Sequence, residues 1–531
     1  MNGEEAGPSA AEPEAAWKPR HNPWLIAIVV TMATFMEVLD ATIVNVSLPQ
    51  IAGTLSATQE EATWVLTSYL VANAIVLPVS GWLSSLLGRK RFYMTCVALF
   101  TASSLLCGAA PNLGSLVFFR VLQGLGGGGL QPSEQAILVD TFPPAKRGMA
   151  FAVAGIAMVT APILGPTLGG WITDNFSWRW AFYVNLPVGL LSLFLSQKLV
   201  QDPPHARRVR FREGFTVDYT GLGLIALGLG CLQVVLDKGQ IEDWFASPFI
   251  QIFAALAVVG LAAAVWWELG HKHPVVDLRL LRDWNFGTAN VLMFAVGFSL
   301  YGSTILIPLL LQNLMGYTAM DAGLVISPGG LVVVAMMPIV GKLSSRVQPK
   351  WLIAFGLTVL GAALLHMTSF NLHMDYRTVV LARCFQTLGL SFLFVPVNTM
   401  AYAHLPKGKN NNASAILNLS RNLGGSFGIA LVTMLLARRF QYHHSVLASH
   451  VSPLDPQYLA WSEQAGRVLK WLGSADPAKV LALVYQQLQR QAAILSYLDN
   501  FWVLGLTVLA LVPLTLALRR IPLGRAGHGG H

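Results

Sequence analysis

Glu37 and Asp40 stand three residues apart inside one long apolar run, and Glu134 lies in the later part of another. Arg120, Arg383 and Arg421 are also set within apolar stretches. Ionisable groups at membrane depth are costly and mark ion or substrate pathways. Residues three apart on a helix share a face, so Glu37 and Asp40 point the same way. Desolvation or a second acid favours the protonated carboxyl, whereas a nearby guanidinium favours the ionised one. A carboxyl poised between those influences can take up a proton on one side and release it on the other. The plainer alternative for each acid is a hydrogen bond that ties two helices together. An unpaired guanidinium in lipid is strongly disfavoured, so Arg120 needs a carboxylate or several carbonyls. Arg383 and Arg421 have no evident mid-span acid, and for them a structural tie is the favoured reading.

Other chemistries lack their residues. Gly124, Gly126 and Gly129 satisfy G-x-G-x-x-G, but inside a spanning helix, with no preceding strand or following βαβ unit. There is no P-loop, which argues against ATP as the energy source, and no GxSxG or HExxH pattern. Cys96, Cys107, Cys231 and Cys384 fall singly inside apolar segments without CxxC spacing and read as small core residues. An enzyme would need a clustered nucleophile, a ligand set or a paired acid at an interface, and a sensor would need a sizeable soluble output domain. Neither is found.

Composition says what must carry these groups. Of 531 residues, 54% are hydrophobic and 11% charged, against about 25% charged in soluble domains. Single soluble cores stop growing near about 250–300 residues, so this apolar excess needs lipid as its solvent. The net charge of +9 does not mark a nucleic-acid binder, because the basic residues sit singly or in twos to fours between apolar runs. Spans of about 17–25 apolar residues are expected near 24–46, 62–83, 92–110, 113–139, 149–172, 180–198, 218–236, 248–268, 286–311, 320–341, 351–370, 377–402, 412–437 and 498–518. That is fourteen, so both termini lie on one side. Of the 35 lysines and arginines, 23 fall on the side of the termini, and only Arg179, Lys238 and Arg377 lie in short loops opposite. The positive-inside rule therefore expects both termini in the cytoplasm. The first apolar run is of spanning length and lacks a small-residue cleavage site, so it is read as an uncleaved first span.

The chain repeats itself. Gly81 to Ser85 (GWLSS) recurs as Gly341 to Ser345 (GKLSS), with Pro78 matched by Pro338. Arg120, Gln123, Leu125 and Gly126 recur as Arg383, Gln386, Leu388 and Gly389. Two motifs at offsets of 260 and 263 argue for duplicated six-span halves, one of the known transporter plans. Spans 218–236 and 248–268 have no counterpart and read as an inserted hairpin. The expected divisions are a disordered tail 1–22, a six-helix bundle 23–200, a basic linker 201–217, the hairpin 218–270 and a linker 271–284. A second bundle 285–520 follows, containing a long periplasmic loop 438–497, and then a tail 521–531.

These motifs resemble the major facilitator superfamily, in its fourteen-span EmrB/QacA-type drug:proton antiporter branch. The likeness runs from about Trp24 to Arg520. It rests on LDATIVNVSLP (Leu39 to Pro49), RVLQGLGGGG (Arg120 to Gly129), GPTLGG (Gly165 to Gly170) and WRWAFYVNLPVG (Trp178 to Gly189). LDKGQIEDWF (Leu236 to Phe245) and the Gly/His-rich end look specifically EmrB-like. The resemblance implies an all-α integral membrane fold of two pseudo-symmetric six-helix bundles plus the hairpin. It implies multidrug efflux across the inner membrane driven by the proton-motive force, with no cofactor. An exporter dedicated to one natural product, siderophore or fatty acid is the nearest rival.

Residue by residue, the resemblance implies proton coupling by Asp40, first choice because it occupies the first-span motif, with Glu37, Glu134 and Arg120. Arg120 would sit beside the titrating carboxylate. The antiporter motif maps to Gly155, Pro162, Gly165, Pro166, Gly169 and Gly170, and Gly165, Pro166, Gly169 and Gly170 are expected to pack on a helix of the other half. A cytoplasmic gate maps to Gly81, Gly88, Arg89 and Lys90, but Ser85 stands where the superfamily usually carries an aspartate. A substrate chamber between the halves is expected from Asn185, Asn290, Phe294, Phe298, Tyr301, Gln312, Phe392, Asn398 and Asn418, apolar and aromatic, suited to lipophilic or amphipathic compounds. The loop 438–497, with Tyr458, Trp461, Trp471 and Tyr485, is either a cap or a docking surface. EmrB-type members work with a periplasmic membrane-fusion adaptor and an outer-membrane channel, so such partners are implied.

Overall fold

The computed structural model describes residues 19–202, 218–271, 274–403, 405, 409–451, 456–471 and 477–521. Most of the expected tails and of the linker 201–217 lie outside the described residues. The described residues are helical with short connections. The first six spans are α1 (Pro23–Thr54), α2 (Gln59–Leu87), α3 (Arg89–Gly108), α4 (Leu113–Thr141), α5 (Pro144–Asn175) and α6 (Trp180–Leu199). The hairpin is α7 (Tyr219–Lys238) and α8 (Pro248–Gly270). The second set is α9 (Trp284–Met315), α10 (Met320–Leu343), α11 (Pro349–Ser369), α12 (Tyr376–Ala401), α13 (Asn410–Ser449) and α15 (Ala478–Leu516), with α14 (Pro456–Trp471) between the last two. Thirteen of these are straight enough to count directly as spans, and α5, bent by 45° between Pro144–Pro162 and Leu164–Asn175, is the fourteenth.

Local chemistry sets the helix ends. Asn22 accepts from the Trp24 amide ahead of α1, with Pro23 in the first turn, where its missing N–H costs nothing. Asn112 and Thr318 close capping boxes at α4 and α10. Gly88, at φ +88°, makes the turn between α2 and α3 that a side chain would strain.

The halves use matching pairings. In the first, α1 packs on α5, α2 and α3 on α4, and α3 on α6; in the second, α9 packs on α13, α10 and α11 on α12, and α11 on α15. The halves meet along α5 against α10 and α2 against α13. Glycines let these helices approach closely. A Cβ on Gly341 would stand 2.9 Å from the Gly148 carbonyl oxygen, and one on Gly81 would stand 2.9 Å from the Asn412 Cα.

Two features stand outside the matched pairs, and the first of them departs from the expected loop. The stretch 438–497 is largely helix: α13 runs on to Ser449, α14 follows, and α15 begins at Ala478. The 40 residues of α13 measure about 60 Å at about 1.5 Å per residue, twice the roughly 30 Å hydrocarbon core. Asp499 on α15 clasps Arg439 at 2.5 Å and His443 at 2.7 Å on α13. The hairpin is the second feature. Helix α8 lies outermost, with Val258, Val259 and Trp266 exposed, while α7 packs on α2 and reaches α13.

Candidate proton and substrate site

Asp40 is wholly buried and accepts from three donors. Arg120 Nη1 donates to Oδ2 at 2.6 Å, while Gln123 at 3.0 Å and Asn185 at 2.6 Å donate to Oδ1. Arg120 in turn donates to the Gln123 side-chain oxygen at 2.8 Å and the Val65 carbonyl at 2.9 Å. Its guanidinium lies 4.2 Å from the centre of the Tyr69 ring. The arginine's need for a carboxylate is thus met inside the first half. In the second half Arg383 repeats the arginine–glutamine bond, donating to Gln386 at 2.6 Å. Among the described residues it has no carboxylate partner, so the repeat kept the scaffold without the acid.

Glu37 faces a different space. Tyr69 and Asn73 donate to its Oε1 at 3.2 and 3.1 Å, and Gln131 donates to Oε2 at 2.6 Å. The Gln131 side-chain oxygen accepts from Arg421 of the second half. Glu37 therefore links, through one amide, to an arginine on α13. It also lines a cavity of about 150 Å³ between α1, α2, α4, α7, α9 and α13. Asp40 does not line it. Tyr69 connects the two acids, its hydroxyl on Glu37 and its ring against Arg120. Glu134 is buried apart from the cavity and accepts from Thr31 at 2.6 Å.

Toward the end where α1 begins, the halves are stitched together. Arg89 pairs with Asp140 and donates to Asn411 at 2.8 Å, and Asn410 donates to Asp140 at 2.7 Å. Asp140, from the end of α4, supplies the carboxylate that Ser85 lacks; Ser85 merely donates to the Gly81 carbonyl at 2.9 Å. Gly81 lies against Asn412, where a Cβ would meet its side chain at 2.6 Å. Lys90 ties α3 to the end of α6 through the Gln197 carbonyl at 2.5 Å. Deeper in, Gln135 accepts from Asn418 at 2.9 Å and from Tyr402 at 3.3 Å.

The glycine motif divides its partners differently from expectation. Gly165 and Gly169 pack on Thr42 and Ile43 of α1, in the same half, and nothing lies near a Cβ on Gly170. It is Gly148 and Gly155 that meet the other half, at Gly341 and at Met337 and Phe394. The helix bends by 45° near Pro162 and Pro166, so glycines before and after the bend face different neighbours.

The expected chamber is also redrawn. Of its nine residues only Tyr301 lines the cavity. Asn185 is spent on Asp40 and on Ser104 at 3.0 Å. Asn290 accepts from Ser420 at 2.9 Å, joining α9 to α13. Phe294 and Phe298 back onto Gly424 and Gly428. Phe392 packs on Phe355 within the second half, Asn398 donates to the Phe394 carbonyl at 2.8 Å, and Gln312 is exposed. Asn418 belongs to the inter-half contact with Gln135. Tyr69, Asn73 and Gln131 line the cavity instead, with Gln233 and Asp237 of the hairpin. Sequence reasoning missed them. The one available signal was that each polar side chain sits in an otherwise apolar run. Among the described residues no group of His, Cys, Asp and Glu has the arrangement of a metal site.

Twin six-helix halves with buried acids and a cavity on the seam between them have the build of a secondary transporter. The model of the Major Facilitator Superfamily matches residues 30–429. The multidrug export protein EmrB of Haemophilus influenzae is 39% identical over 494 residues, 92% of this chain and 94% of that one. The fatty acid resistance protein FarB of Neisseria gonorrhoeae is 36% identical over 511 residues, 95% of this chain and 97% of that one. Among solved structures, the proton:xylose symporter XylE matches with a TM-score of 0.60 at 14% identity, over 94% of this chain and 96% of that one. That last likeness speaks for the fold alone. The chain belongs to the Major Facilitator Superfamily, on its EmrB-like branch, and is a multi-pass inner-membrane protein.

Proposed function

We propose that this protein exports lipophilic or amphipathic compounds by proton antiport, as a multidrug efflux transporter. The carrying observation is the full-length similarity to EmrB multidrug export proteins, joined to a cavity lined by Glu37 with the Asp40–Arg120 pair one tyrosine behind it. In this reading Glu37 meets protons arriving through the cavity, and Asp40 senses them through Tyr69 and Arg120. Protonation of Glu37 weakens its hold on Gln131 and thereby on Arg421, a link between the halves. Moving one charge through about 100 mV is worth about 2.3 kcal/mol, which at about 1.4 kcal/mol per decade sustains a roughly fifty-fold substrate gradient. The two bundles at 23–200 and 285–520 rock about the cavity, closing at Arg89, Asp140 and Asn411 on the cytoplasmic side, where both termini lie.

The test is uptake of a fluorescent amphiphile into inverted membrane vesicles. An imposed pH gradient, acid inside, should drive accumulation at least tenfold above vesicles lacking the protein, and collapsing the gradient should abolish it. Accumulation indifferent to the gradient would overturn proton antiport. The similarity to FarB favours a second reading, an exporter dedicated to fatty acids or a similar single compound. A susceptibility panel separates the two, because a dedicated exporter protects against one chemical class only.

The helical extension beyond the spans supports docking of an adaptor. Tyr442, Leu459, Trp461, Val468, Leu481 and Tyr485 are all exposed on it, and apolar surface beyond the lipid marks a protein contact. Joining α13 to α15 by a short linker in place of 445–490 should leave vesicle transport intact and lower whole-cell resistance at least fourfold. Undiminished resistance would count against docking.

A further inference from the structure

The hairpin fills a gap that the two halves leave open. Helix α7 lies across the seam between α2 of the first half and α13 of the second, and it is tied to both. On one side the Thr67 hydroxyl of α2 donates to Asp237. On the other, Ser426 of α13 donates to the Gln233 side-chain oxygen at 3.0 Å. Gly230 brings α7 against Ile75 and Val71 of α2, while the Gly228–Gly260 crossing holds α8 tightly behind it. Gln233, Leu236 and Asp237 thereby become part of the cavity wall.

Charge on that wall is one-sided. Its ionisable lining residues, besides the tyrosines, are Glu37 and Asp237, and no lysine or arginine among the described residues lines it. The nearest basic neighbour in sequence, Lys238, does not line the cavity, although its charge reaches Asp237. Its ammonium donates to the Thr63 hydroxyl and to the Glu60 carbonyl at 3.3 Å, and lies 4.8 Å from the Trp64 ring. The Thr67 hydroxyl occupies only one of the lone pairs of the Asp237 carboxylate. The rest of the lining combines aliphatic side chains and Tyr301 with uncharged polar groups, Asn73, Gln131 and Gln233 among them, while the Tyr69 ring is already engaged by Arg120.

We propose that α7 completes the substrate cavity and that Asp237 on it forms a subsite for the positive head of an organic cation, with Thr67 positioning the carboxylate. This rests on the export reading above and adds a substrate class to it. The hairpin then determines specificity, and a chain with the same two bundles but another hairpin would select other substrates. Glu37 remains assigned to protons and Asp237 to cargo, so charge recognition and energy coupling occupy separate elements.

Tetraphenylphosphonium and tetraphenylborate have the same shape and opposite charge, which makes them suitable probes. Their binding to the purified full-length protein in lipid nanodiscs is measured by intrinsic fluorescence. Asp237→Asn should weaken tetraphenylphosphonium about tenfold, Asp237→Glu should largely retain it, and tetraphenylborate should bind the Asn variant at least as well as the parent. Unchanged tetraphenylphosphonium affinity in Asp237→Asn overturns the subsite. So does an equal loss for both ions, which would mean general damage to the wall, or a parent protein that binds no phosphonium. Gradient-driven uptake of the fluorescent amphiphile by the parent protein is read separately, so the export assignment can stand while the subsite falls.

Discussion

Asp40→Asn should abolish gradient-driven transport, lowering amphiphile uptake into inverted vesicles at least a hundredfold at unchanged membrane abundance. Two effects act together. The carboxyl that balances Arg120 is lost, and the hydrogen bonds from Gln123 and Asn185 lose their charged acceptor. Removing one partner of a buried ion pair costs about 3–5 kcal/mol when the other charge is left behind, so thermal stability should also fall. Pairing the change with Arg120→Gln separates the contributions. The double variant should recover much of the stability, since no lone charge remains at the pair, yet stay inactive because the pair that responds to Glu37 through Tyr69 is gone. Full gradient-dependent uptake by Asp40→Asn would remove Asp40 from the coupling mechanism. A double variant that regains transport would reduce the pair to a helix tie.

Gly341→Leu should be nearly as severe, by a different route. The first added carbon would lie 2.9 Å from the Gly148 carbonyl oxygen and 3.0 Å from the Met149 Cα. Backbone on both sides leaves little room to yield. Overpacking of this kind costs about 1–3 kcal/mol, all of it charged to the conformation in which α5 and α10 touch. A state disfavoured by that much loses about fivefold to a hundred-and-fifty-fold in population. Transport needs the state in every cycle, so uptake should fall at least about fivefold. With the native cysteines replaced and Asn411→Cys added, maleimide labelling should accelerate in the leucine variant, because the closed end no longer closes. Normal uptake with unchanged labelling would show that this contact is dispensable. Both substitutions leave the bilayer-facing surfaces untouched, so insertion should survive.

Much of the fold was legible before any coordinates. Each expected span corresponds to a helix, because a backbone crossing lipid must satisfy its own hydrogen bonds and announces itself by a long apolar run. The repeat offsets foretold the matching halves, and the isolated charge of Arg120 demanded the partner that Asp40 supplies. The site itself was only half legible. Asn185 was placed in the chamber but is a donor to Asp40. Phe392 is packed inside the second half, and Tyr69, which joins the two acids, was not singled out. The reason is that lipid and protein interior are equally apolar. In water a helix declares its buried face by amphipathicity, whereas a spanning helix carries similar residues toward neighbour, lipid and cavity.

The same reasoning explains the glycines and the hairpin. Gly165 and Gly148 are equivalent as small residues, and the bend in α5 decides which of them meets the other half. The pattern of α7 and α8 said only that two further spans existed; their composition did not say that one would wall the cavity and the other face lipid. Sequence alone determined the number of spans, the duplication and the buried charges, since each reflects a cost that must be met locally, one helix at a time. Tertiary structure decided which acid reaches the cavity, which glycines join the halves and what the hairpin does, because those depend on how apolar faces of equal hydrophobicity pack against one another.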